Sequence, residues 1–245
     1  MFLSKALPSE IKKLTDKITG VSKMKALPLT LALASCLTLS NAMAHGKKFN
    51  TYHVTITNTT ANHVITPPAV IAHNENFKLF KITEAASTGL VVLAESGNPS
   101  VLLDGLADNV NVSATMTTLE QTPPVILPGT SITIEIKAPE NTYFTIAGML
   151  ATSNDAFTSV TLKAPKKNHY SSANAITYDA GSEDNNELCI DIPGPPCGGT
   201  NATIEGDGEG FVTVHNGVHG VGDLVPANLD WRGPTAIVRI HNAGQ

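Results

Sequence analysis

Apolar and polar side chains alternate with a period of two through much of this chain. In residues 52–57, Tyr52, Val54 and Ile56 are separated by His53, Thr55 and Thr57, and the same alternation recurs in residues 109–114, 131–136 and 210–214. Successive side chains of an extended strand point to opposite faces, so each segment predicts a β-strand with one buried face. Residues 143–150 are nearly all apolar and predict a central strand, while residues 175–178 and 235–240 predict two further strands. Pro67-Pro68, Pro123-Pro124, Pro128-Gly129, Pro139 and Gly206-Asp207-Gly208 supply the turns between them. Short strands at this spacing predict an all-β fold, an antiparallel β-sandwich.

One region departs from the alternation. Between Thr83 and Glu95 the apolar residues Ala86, Leu90, Leu93 and Ala94 recur at helical spacing, with Thr83 as a candidate cap and Gly97 as a stop. Asn98-Pro99 then opens a second short helix through Leu102, Leu103 and Leu106. These one or two helices, lying between early strands, are expected to cover an end or edge of the sandwich.

The first 44 residues read as a cleaved signal peptide. Lys23 and Lys25 flank Met24, an alternative start; an apolar run follows to Leu39, and Ala42-Met43-Ala44 is a small-x-small cleavage site. Pro28 and the polar Ser40-Asn41 make the run too short and too interrupted for a membrane span. Leu33-Ala34-Ser35-Cys36 offers a competing lipoprotein box, with lipid anchoring at Cys36. Cleavage after Ala44 removes six of the 16 basic and two of the 21 acidic residues, leaving 201 residues, one domain over 45–245, with a net charge of −9. So acidic a surface, without a basic stripe, disfavours nucleic acid and anionic membrane as partners and favours cations. Secretion to the periplasm or beyond makes a disulfide between Cys189 and Cys197 the natural reading of that pair, with free or metal-bound thiols as the alternative.

Candidate chemistry centres on residues 178–187, which hold Asp179, Glu183, Asp184 and Glu187, and on the upstream loop Ser153-Asn154-Asp155. Hard oxygen donors on loops suit Ca²⁺, which takes six to eight oxygens in flexible geometry. Asp155 and Asp179 each follow a predicted strand, and converging loops would bring them to one cation together with Glu183. The pattern is not that of an EF-hand, and acidic loops are also ordinary solvated surface. His215 and His219 form a second candidate, for Zn²⁺ or Cu²⁺, although Gly217 and Gly220 argue against a helix that would align them. No nucleophile elbow, no zinc-protease motif and no phosphate-cradling loop occurs, so an enzyme is not expected. A glycan hydrolase built on spatially paired carboxylates such as Asp155 and Glu209 stays open, since such pairs leave no spacing in sequence.

Several segments in consistent order resemble the spondin domain: residues 49–58, 67–73, 93–97, 149–157, 178–183 and 234–240. The most specific are Asn154-Asp155-Ala156-Phe157 and Tyr178-Asp179-Ala180-Gly181-Ser182-Glu183. The resemblance covers most of residues 45–245 and implies a stand-alone, secreted, bacterial-type member. It also implies a β-sandwich similar to C2 domains and one Ca²⁺ held at one end by Asp155, Asp179 and Glu183. Animal members tend to carry aspartate where this chain has Glu183, which makes Asp184 the alternative third ligand. The expected protein is a monomeric, calcium-binding, non-catalytic module for extracellular or cell-surface adhesion, with an extracellular protein or glycan as partner.

Overall fold

The structure, a computed structural model, describes residues 48–199 and 208–245; the expected signal peptide, with Met24 and Cys36, lies outside them, as do Gly206 and Asp207. The elements in chain order are β1 (Phe49–Asn58), β2 (Ala69–His73), α1 (Thr88–Ser96), α2 (Ser100–Asp104), β3 (Val112–Thr117), β4 (Ser131–Pro139), β5 (Tyr143–Met149), β6 (Ala156–Lys163), β7 (Tyr170–Asp179), β8 (Thr213–Val214), α3 (Pro226–Leu229) and β9 (Ala236–Gly244). The all-β class read from the alternation holds. Every strand pair is antiparallel, in the order β3-β2-β5-β6-β7-β9-β1-β4, with β8 beside β7.

A change of partner along β7 makes two layers from this path. Residues 170–175 pair with β9, whereas residues 176–179 pair with β6 and the last two also with β8. The sheet folds over at this point, and its outermost strands β3 and β4 return against each other to nearly close the sandwich. Where the two ladders part, the buried hydroxyls of Thr158, Thr177 and Thr235 bond to one another, with Oγ1 separations of 2.8 and 3.0 Å. Buried polar groups at such a split need partners, and the threonines supply them.

Between the layers, Tyr52, Val54 and Ile56 of β1 meet Ile134 and Ile136 of β4, Val238 and Ile240 of β9, and Val70, Phe144 and Ile146 from the opposite layer. The Tyr52 and Phe144 rings pack edge to face with centroids 5.0 Å apart. Each such side chain, taken fully out of water, contributes roughly 1.5–3 kcal/mol. A second apolar layer lies on the other face of β2, β5 and β6, where Leu90, Leu93 and Leu102 of the helices cover Ile71, Ala147 and Phe157. The helices therefore cover a face of the sheet, rather than an end, and this is why β2 and β5 are apolar on both sides.

Several boundaries differ from the sequence expectation: β3 covers Val112–Thr117 where the alternation predicts residues 109–114, and β7 covers Tyr170–Asp179 where it predicts 175–178. Helix α1 starts at Thr88, with the Ser87 hydroxyl accepting from the Leu90 amide, because the backbones of Thr83 and Glu84 bond to Val212 instead. The same pairing draws Val212 out of register, so the strand expected over 210–214 shrinks to two residues. Gly97 ends α1 in the left-handed conformation, as its position predicts.

Candidate metal centre

β6 begins at Ala156, whose register partner is Asp179 at the end of β7. Asp155 therefore stands one residue before a strand and Asp179 at the end of its neighbour, and both are buried. Segment 179–183 wraps round Asp155: Oδ2 accepts the Ser182 amide at 2.8 Å, the Ser182 hydroxyl at 3.1 Å and the Glu183 amide at 3.2 Å. Asp179 Oδ1 accepts the Gly181 amide at 2.6 Å, and its Oδ2 accepts the Asn185 side-chain amide at 2.5 Å. The turn depends on Gly181, which has φ +69° and lies so close to the Phe211 backbone that a Cβ would run into the Phe211 carbonyl oxygen.

These contacts leave Asp155 Oδ1 buried and without a hydrogen-bond partner. Burial, and then the charge of Asp179, push the Asp155 carboxyl up to about 7 against the lowering effect of the Ser182 and Glu183 donors. Burial likewise raises Asp179, opposed by Asn185 and Gly181. Two neighbouring acids that resist ionisation, one with an orphaned oxygen, form an environment short of positive charge. That is the chemistry of a donor set that accepts either protons or a cation.

Glu183 is buried, whereas Asp184 is exposed, which separates the two candidates for third ligand. The structure brings the backbone of Glu183 onto Asp155. Among the described residues, no three His, Cys, Asp or Glu side chains are grouped so as to hold a metal ion as they stand. The carboxylate oxygens that bond to amides would have to turn for an ion to be shared among them.

Glu187 is not a solvated surface charge. It is buried, and its two oxygens accept three successive amides, from His219 at 2.5 Å, Gly220 at 2.6 Å and Val221 at 3.0 Å. This carboxylate holds the 217–223 loop down onto the acidic segment, and no sequence pattern announces it, because its partners are backbone. Asn185 carries no signal in the sequence either. It ties Asp179 to His215, whose Nε2 lies 3.2 Å from Asn185 Oδ1 while Nδ1 accepts the Gly217 amide at 3.0 Å. Both ring nitrogens of His215 are thus engaged as in a neutral imidazole, and burial, with His219 next, pushes its pKa down to about 4. His219 contributes its backbone amide here and is exposed, so the structure does not gather His215 and His219 into a chelate.

The expected disulfide Cys189–Cys197 is formed. Its loop packs on the Asp155 loop, since the Thr152 hydroxyl donates to the Pro195 carbonyl at 2.6 Å. A small apolar cluster of Ile192, Val218, Leu224 and Leu229 supports it, with the partly buried Trp231 packed alongside. His63, fully buried in the β1–β2 loop, adds a polar clamp, with Nδ1 2.8 Å from the Ala151 carbonyl and Nε2 2.5 Å from the Leu229 carbonyl. Glu209, the other carboxylate of the hydrolase alternative, lies in the segment before β8 and is exposed, unlike Asp155. No protein-family model matches the chain, and no curated protein matches it in sequence.

Proposed function

We propose that this protein is an exported, calcium-binding β-sandwich module that acts by binding or adhesion at or outside the cell surface, without catalysis and as a monomer. One observation carries the cation reading: Asp155 Oδ1 is buried without a hydrogen-bond partner, beside the second buried carboxyl, of Asp179. An orphaned acceptor of this kind costs about 1–3 kcal/mol, a penalty that a hard cation removes. Asp155, Asp179 and Glu183 would hold the ion, and Ca²⁺ suits them because it accepts oxygen ligands in irregular geometry. The ion would supply positive charge that lets the acids ionise together, fixing the loops at this end. The disulfide fits an oxidising compartment, in keeping with the signal-peptide reading of residues 1–44. Resemblance to spondin domains supports the same assignment.

Thermal melts with EGTA and with excess Ca²⁺ test the proposal. A ligand that binds the native state alone at about 100 times its Kd stabilises by about 2.7 kcal/mol, so the melting temperature must rise with Ca²⁺. Asp179→Asn must abolish that rise. An unchanged melting temperature in the wild type refutes the proposal.

A further inference from the structure

Five lysines of this acidic protein are scattered in sequence but gathered in space. Residues 45–245 hold ten Lys and Arg. Lys48 precedes β1, Lys137 lies near the end of β4, Lys163 ends β6, and Lys166 and Lys167 stand in the turn to β7. Antiparallel register puts all five at the end of the sandwich opposite Asp155 and Asp179.

Two adjoining cavities of about 440 Å³ each open at that end, on either side of the Glu140 and Asn141 turn, which borders both. Lys48 lines one. The other is walled by Lys163, Lys166 and Lys167 and includes Asn50, Tyr52 and Asn242. The turn that presents these lysines is fixed: the Asn168 amide donates to the Asn242 carbonyl at 2.7 Å, and the Asn242 side chain donates to the Pro165 carbonyl at 2.9 Å. Among the described residues, no carboxylate forms an ion pair with Lys48, Lys163, Lys166 or Lys167.

We propose that this end binds an acidic glycan chain, its charged groups meeting Lys48, Lys163, Lys166 and Lys167 across the two adjoining cavities. A single small anion would occupy one cavity and leave the other ammonium groups unmatched, whereas a chain with repeating charges spans both. Exposed amide and hydroxyl groups of Asn74, Ser113 and Asn141 around the first cavity suit a hydroxyl-rich ligand rather than an acyl chain. Glycan binding here rests on the reading of the protein as a binding module and names its ligand class, but it does not depend on calcium.

The test is fluorescence anisotropy of a labelled heparin oligosaccharide titrated with the purified protein in EGTA. Binding is expected to be saturable, to weaken with salt, and to fall by about tenfold or more in the triple variant Lys163→Ala, Lys166→Ala, Lys167→Ala. All three side chains are exposed, so the variant should keep the wild-type melting temperature. Glu140→Gln, which removes the carboxylate between the cavities, should tighten binding. Wild-type affinity in the triple variant overturns the proposal, and so does equal affinity for phosphatidylserine vesicles. A melt insensitive to Ca²⁺ would refute the cation reading while leaving oligosaccharide binding untouched.

Discussion

Removing divalent cations should make the stability of this protein depend on the ionisation of Asp155. The folded-state carboxyl titrates at about 7 against an ordinary 3.8, so folding favours its protonated form. A raised carboxyl pKa means stability that is fully present below about pH 4 and is lost as pH rises through about 7. At about 1.4 kcal/mol per unit, the whole shift is worth about 4 kcal/mol, of which about 2.5 kcal/mol falls between about pH 5 and pH 8. His215 works in the opposite direction: its pKa is depressed from 6.5 to about 4, so its contribution is present above 6.5 and lost as pH falls toward 4. The wild-type curve alone therefore mixes opposed slopes, since Asp179, also raised by burial, adds to that of Asp155. Asp155→Asn keeps His215 and removes the acid together with its repulsion of Asp179, so the difference between the two proteins reads the acidic pair free of His215. Urea unfolding in EGTA should show wild type losing about 2.5 kcal/mol relative to Asp155→Asn over that pH range, and excess Ca²⁺ should erase the loss. A difference that stays flat with pH would show that Asp155 is not held neutral, and would undo the reasoning.

Gly181→Ala should destabilise the protein by at least about 2 kcal/mol in the same assay, because it adds a clash with the Phe211 backbone to a left-handed φ. Glu187→Gln should cost about 1–3 kcal/mol by replacing a charge-assisted acceptor of three amides, and hydrogen exchange should speed up at His219, Gly220 and Val221 while the β1 amides stay protected.

The strands are legible because a half-buried strand writes its burial into every second residue, as Tyr52, Val54 and Ile56 do. β2 and much of β6 are harder to see, since an apolar sheet face under helices breaks that rhythm. Thr83 resembles a helix cap by its type and spacing, but a long-range pairing with Val212 claims its backbone. At the acidic end, Asp155 and Asp179 can be picked out from strand-to-loop position and resemblance. Glu187 cannot, because nothing in its own neighbourhood encodes the amides it binds. The lysine end is equally hidden: Lys48 and Lys167 come to the same end only through strand register.

Strands β6 and β7 each run between the two ends of the sandwich, with Asp155 and Asp179 at one end and Lys163, Lys166 and Lys167 in or beside the turn that joins them at the other. A ten-residue strand spans about 33 Å, so the lysines and the acidic loops are kept at opposite ends of one axis. Near an anionic polymer the lysine end should be drawn in first, and added salt should blunt that preference.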